Sequence, residues 1–162
     1  MSESPKFVAD AMLGSFARKL RVFGFDTVYF RDGADSSLLE LARMEGRVVL
    51  TSDRVLAATA KKHGVVALMV EGRGDRQRLA SLEAAARKVD LLLANGASRC
   101  TVCNAPLRPV KRADVGPEVP TGVVMRHRAY LRCPDCGKTY WKGSHWKKLR
   151  RLSSVLSSTI TI

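Results

Sequence analysis

All four cysteines of this 162-residue chain fall in two Cys-x-x-Cys pairs, and that spacing constrains the fold more than any other feature. Cys100-Thr101-Val102-Cys103 and Cys133-Pro134-Asp135-Cys136-Gly137 are separated by 29 residues. Two intervening residues let a tight turn aim both sulfurs inward, and two such turns complete a tetrahedron around Zn²⁺. Gly137, directly after the last cysteine, supplies the backbone freedom that such a turn needs. A redox dithiol or an iron–sulfur cluster would use the same residues; a four-thiolate zinc is the expected occupant. With no open coordination position it is a structural ion, replacing a core that a segment of about 60 residues could hardly bury unaided. Strand-like runs at Gly122–Met125 and Ala129–Leu131 lie between the pairs, and Lys111–Thr121 reads as a loop, giving a β-rich zinc ribbon.

Upstream of the cysteines the pattern is different. Short β-branched runs at Lys6–Ala9, Thr27–Phe30, Arg47–Thr51 and Val65–Val70 alternate with apolar residues at helical spacing, such as Leu13, Phe16, Ala17, Leu20 and Phe23. Ser37-Leu38-Leu39-Glu40 has the form of a capping box, and the last helical pattern carries Leu79, Leu82, Ala86, Val89 and Leu93. This βα alternation predicts an α/β fold with a mostly parallel sheet and helices on both faces. Ligands of such sheets bind beyond the carboxyl ends of the strands. Asp10, Asp35 and Asp53 fall at that edge, whereas Asp26 precedes its strand and falls at the other.

Three carboxylates on one edge repel one another unless a cation neutralises them, and Mg²⁺ or Mn²⁺ is the natural occupant of an all-oxygen site. Each acid alone is also a natural helix cap or loop residue. Other α/β chemistries lack their residues: there is no Gly-x-Gly-x-x-Gly after the first strand, no Gly-Lys-Ser/Thr loop, and no Gly-x-Ser-x-Gly elbow.

Charge separates the two halves. Residues 1–97 carry 15 basic and 12 acidic side chains, and residues 98–162 carry 13 and 3. A basic module beside a nearly balanced one points to an acidic partner, of which nucleic acid is the commonest. The sequence Tyr140-Trp141-Lys142-Gly143-Ser144-His145-Trp146-Lys147-Lys148-Leu149-Arg150-Arg151 interleaves cations with aromatics, a combination suited to phosphate contacts and base stacking. A solvated basic surface, with both tryptophans packing the ribbon against the first module, is the alternative. Ser144 is the expected N-cap of a short basic helix. No apolar run approaches the ~18–20 residues of a membrane span. The N-terminus, MSESPKFVAD, lacks the layout of a secretory leader, so a cytoplasmic location is expected.

Several of these segments occur together elsewhere. Phe7-Val8-Ala9-Asp10-Ala11-Met12-Leu13-Gly14, Gly24-Phe25-Asp26-Thr27, Leu50-Thr51-Ser52-Asp53-Arg54, Ser98-Arg99-Cys100, Cys133-Pro134-Asp135-Cys136 and Tyr140–Trp146 follow one another in order. This set resembles the Mut-seven C-terminal RNase family, a PIN-like nuclease domain fused to a zinc ribbon, over about residues 6–149. The resemblance implies a ribonuclease dependent on Mg²⁺ or Mn²⁺, with Asp10, Asp35 and Asp53 as its acids. The fourth acid of many PIN domains has no clear counterpart; Asp75, Asp32 and Glu40 are its candidates. Lys19 and Arg54 are candidate phosphate contacts near the acids. Lys142, His145, Lys147, Lys148, Arg150 and Arg151 are candidate RNA contacts after the ribbon, and a structured RNA such as tRNA or rRNA is the expected substrate. The expected division is a nuclease domain at 1–97, a ribbon with its basic helix at 98–152, and a tail at 153–162 that frays or packs as an extra strand. A non-catalytic RNA- or ribosome-binding adaptor is the alternative function.

Overall fold

The computed structural model describes residues 4–94 and 96–156; the side chains of His145, Lys147 and Arg150 lie outside the described set, as does the tail beyond 156. The apolar runs of the first half form strands β1 (Phe7–Ala9), β2 (Thr27–Tyr29), β3 (Val48–Thr51) and β4 (Ala67–Met69). They pair in parallel in the order β2-β1-β3-β4. Such strands lack polar alternation because both of their faces are covered. Val8 and Val49 point to one face and pack with Leu38, Leu39 and Ala42 of α2 (Asp35–Glu45) and Leu56 and Ala60 of α3 (Arg54–Lys62). Phe7, Ala9 and Leu50 point to the other, against Phe16 and Leu20 of α1 (Gly14–Val22) and Leu79 and Leu82 of α4 (Asp75–Arg87).

Several boundaries differ from the sequence expectation. Helix α2 starts at Asp35 with Ala34 as N-cap, so Ser37 donates its backbone N–H to Ala34 inside the first turn instead of capping. Helix α4 stops at Arg87, and Asp90, at φ 52°, turns the chain away. Val89 is therefore exposed, while Leu93 still reaches the core.

The second half forms an antiparallel sheet of β5 (Arg108–Val110), β6 (Tyr130–Arg132) and β7 (Thr139–Trp141), in that order. The run Gly122–Met125, expected as a strand, lies in α5 (Thr121–Arg126). Local bonding overrides its β-branched valines: Val123 and Val124 donate to Pro120 O, and the Tyr130 hydroxyl donates to the carbonyls of Val123 and His127 at 3.1 and 3.0 Å. Helix α6 (Ser144–Ser153) is capped by Gly143, with Ser144 as its first residue. It leaves the ribbon and lays Leu149 and Leu152 against the core beneath α1 and α4, followed by Val155 and the buried Leu156.

The amino edge of the parallel sheet is sealed by the first cysteine turn. Buried Arg21 donates through Nη1 to the Thr101 and Val102 carbonyls at 2.8 and 3.1 Å, and through Nε to Thr27 O at 2.8 Å. Asp26 accepts from Arg47 Nη1 at 2.6 Å, Arg99 Nη2 at 2.9 Å and Asn104 Nδ2 at 2.8 Å. Gly24, at φ 92°, lets the segment at Gly96 cross so closely that a Cβ there would sit 2.2 Å from Gly96 O.

Candidate active site and metal centre

The strand order places a topological switch point between β1 and β3, because the chain leaves β1 toward β2 and returns to the far side of β1. Asp10 directly follows β1, Asp53 stands two residues beyond β3 as the N-cap of α3, and Asp35 opens α2. All three line one cleft of about 150 Å³, together with Met12, Phe30 and Arg31.

A buried hydroxyl sets two of these acids relative to each other. Thr51, the last residue of β3, donates its Oγ1 hydrogen to Asp10 Oδ2 and accepts the Asp53 N–H at 2.9 Å. Asp10 Oδ1 accepts from Met12 N at 3.0 Å. Asp53 uses Oδ1 for both of its cap bonds, from Val55 N at 2.7 Å and Leu56 N at 3.2 Å. Asp10 and Asp53 are thus helix caps and cleft acids at once. Among the described residues, only the four cysteines of the ribbon bring three or more such ligand atoms within 4.8 Å of one another. Mg²⁺ keeps several of its waters and is held by one or two carboxylates plus substrate phosphate, so the donor set of this cleft would suit a hydrated ion without direct ligation by all three acids.

None of the candidate fourth acids is among the residues lining the cleft. Asp75 pairs with Lys19 Nζ at 3.0 Å, which also ties up that candidate phosphate contact, and neither lines the cleft. Asp32 is an exposed neighbour of Arg31. Glu40 lines a separate cavity between α2 and α3, with Arg43 and His63.

The cysteine quartet is gathered far more tightly, with its four sulfurs within 4.8 Å of one another. Cys100 Sγ is 3.5 Å from Cys136 Sγ, and Cys103 Sγ is 3.3 Å from Cys133 Sγ; all four are free of disulfides. Zinc–sulfur bonds of about 2.3 Å imply sulfurs about 3.8 Å apart in a tetrahedron, so the set fits zinc. Burial raises the Cys100 thiol, but hydrogen bonds from the Tyr140 hydroxyl and the Cys103 and Val102 amides outweigh it and hold it down to about 6. Cys103 is pushed up to about 12: the Ala105 amide favours its thiolate, but desolvation and the neighbouring sulfurs prevail. Four sulfurs this close cannot all ionise without a cation, and a divalent metal resolves that conflict.

A family model described as Mut7-C RNAse domain matches residues 5–153, spanning both the cleft and the cysteine quartet. The chain belongs to the Mut7-C RNAse domain family. Among curated proteins, and among solved structures, nothing matches it. Membership makes this a ribonuclease-type enzyme with RNA as its substrate class. No helix among the described residues is long and apolar enough to cross a membrane.

The basic residues of this Mut7-C chain are spread over the molecule. Arg54 begins α3 beside Asp53, with Nη2 3.6 Å from Glu71 Oε1. Lys148 and Arg151 are exposed on α6, and Lys142 Nζ lies 5.6 Å from the Trp146 ring centre. Trp141 remains partly exposed on β7 and Trp146 is half-buried. His145, Lys147 and Arg150 fall among the side chains outside the described set. Two residues escaped the sequence reading: Arg31, which lines the cleft, and Thr51, buried behind it and bonded to both acids. The legible signal for Thr51 was a hydroxyl residue ending an apolar strand two positions before an acid. For Arg31 it was a cation directly after the strand that neighbours β1.

Proposed function

We propose that this protein is a cytoplasmic, PIN-like ribonuclease that hydrolyses RNA phosphodiesters at the Asp10–Asp35–Asp53 cleft with Mg²⁺ or Mn²⁺. The observation that carries this reading is the meeting of three acids, each from a different strand-to-helix junction, in one cleft at the switch point of a Mut7-C chain. The bound cation would activate water and neutralise charge on the scissile phosphate. The chain's own contribution is positional. Thr51 fixes Asp10 against Asp53, the cap bonds fix Asp53 against α3, and the helical start of α2 brings Asp35 to the same cleft. Residues 1–97 carry the chemistry in this reading. Residues 98–152 hold a structured RNA such as tRNA or rRNA through Lys142, His145, Lys147, Lys148, Arg150 and Arg151, with zinc as the structural ion.

One observation favours a non-catalytic RNA-binding adaptor: Asp10 and Asp53 already have structural work as caps. An RNA degradation assay decides between the two. The zinc-loaded full chain is incubated with structured RNAs at low salt, with Mn²⁺, with Mg²⁺, or with neither. Cutting is expected only with a divalent ion, and is expected to vanish in Asp53→Asn. RNA that is bound but stays intact in every condition would establish the adaptor.

A further inference from the structure

Two arginines flank the acid cleft, and the fold leaves both available. Arg31 follows β2 and lines the cleft; its acidic neighbour Asp32 is 4.0 Å away, and the two side chains are 77% and 90% exposed. Arg54 stands on the other side, 3.6 Å from Glu71, with side-chain exposures of 88% and 62%. Pairs this exposed are held weakly in water. The arginines of the opposite sheet edge, Arg21, Arg47 and Arg99, are instead bound to carbonyls or to Asp26. Lys19 is taken by Asp75.

The order of groups across the carboxyl edge is set by the strand order β2-β1-β3-β4. Arg31 follows β2, Asp10 follows β1, Asp53 follows β3, and Glu71, the partner of Arg54, follows β4. Neighbouring strands lie about 4.8 Å apart, so this row spans about 14 Å. Cations thus stand at the two ends of a row whose middle is acidic. The geometry points to an RNA strand laid across the sheet edge from β2 toward β4, with Arg31 holding a backbone phosphate on one side of the scissile group and Arg54 holding one on the other. This rests on the ribonuclease reading above and gives its site a direction. Glu71 then occupies, in the free protein, the partner position that a phosphate takes over at Arg54.

The test measures binding of a fluorescently labelled single-stranded oligoribonucleotide to the zinc-loaded full chain by anisotropy. Ca²⁺ replaces Mg²⁺ to neutralise the acids, and the salt concentration is varied. Arg31→Gln and Arg54→Gln are each expected to lower the slope of log K against log salt by about 0.7, one single-strand phosphate contact. In the cleavage assay both raise KM more than they lower kcat. Glu71→Gln is expected to tighten binding, opposite in sign to Arg54→Gln; a purely structural Arg54–Glu71 pair would make the two variants behave alike. Arg43→Gln, in the separate α2–α3 cavity, is the control and leaves the slope unchanged. Wild-type slopes in both cleft-arginine variants would overturn the crossing, as would weakened binding by Glu71→Gln. An enzyme that cuts RNA with those results refutes the crossing alone. A chain that shows the expected slopes yet never cuts refutes the ribonuclease reading alone. A wild-type chain that binds no RNA refutes both.

Discussion

The two ends of the parallel sheet use the same residue types to opposite effect. At the amino edge, Asp26 has three donors and buried Arg21 reaches three carbonyls, so each charge is consumed by local bonds and by docking the first cysteine turn. At the carboxyl edge, Asp35 starts a helix while exposed, and Arg31 and Arg54 hold only weak surface pairs. Charges that are fully partnered hold a fold together; charges brought to one cleft and left partly partnered are available to a substrate. The energetic reason is desolvation: a buried charge costs several kcal/mol unless bonds replace its water, whereas an open cleft lets water, ions or phosphate do so.

The largest expected effect tests how firmly the amino edge joins the two modules. Structural zinc in small modules contributes about 10–16 kcal/mol of apparent binding energy, most of it expressed as folding. Cys133→Ser should therefore lose zinc and melt the ribbon. Because Arg21 and Asp26 bond directly to the first cysteine turn, the Tm of the parallel-sheet module should fall as well. Metal analysis with circular dichroism melts checks this. An unchanged second transition would show that the two modules are merely adjacent.

The same chemical change at each end of the sheet sharpens the comparison further. Asp53→Asn keeps a good N-cap, since Asn caps as well as Asp, so stability should hold within about 1 kcal/mol. Cleavage should fall by at least about 10²-fold, the scale of losing one group that acts in the transition state. Asp26→Asn should reverse the pattern, costing about 2–3 kcal/mol through Arg47 and Arg99 while leaving kcat near wild type. Burial raises the Asp26 carboxyl, but hydrogen bonds from Arg47 and Asn104 and the nearby guanidinium charges hold it below the ordinary range. A depressed folded pKa stabilises fully above the unfolded value of about 3.9, and that contribution is lost as pH falls through the lower folded value. Denaturant titrations from pH 6 down to about pH 2 should therefore lose part of their acid dependence in Asp26→Asn. Equal activity losses in the two variants would break the comparison.

The chemistry-bearing edge was legible in the sequence because strand direction alone assigns Asp10 and Asp53 to one end and Asp26 to the other. The cysteine quartet was legible from spacing, since two-residue turns leave thiolates little choice of direction. What the sequence hid depended on contacts distant in the chain. Gly122–Met125 reads as a strand by propensity, yet becomes α5 because the Tyr130 hydroxyl bonds two of its end carbonyls. The docking of α6 on the first core was hidden because Leu149 and Leu152 sit among or beside cations that dominate the local pattern, and Leu156 sits in a serine-rich run. Lys19 looked free for phosphate because its partner, Asp75, lies far along the chain.

Thr51 carries the smallest expected effect and the most specific one. It is fully buried and touches both acids, but it is not itself placed to meet RNA. Thr51→Val keeps the branched shape that suits a strand end and removes only the hydroxyl. The substitution leaves the Asp53 N–H and one Asp10 oxygen short of a partner, which should cost about 1–2 kcal/mol of stability. If the hydroxyl positions Asp10 relative to Asp53, cleavage should drop about 10-fold through kcat, with RNA affinity unchanged, as when an outer partner of a metal-binding group is lost. Thr51→Ser restores the hydroxyl without the methyl and should recover kcat more fully than stability. That divergence separates positioning from packing: a residue that only filled space would lose the two together, and serine would then rescue neither.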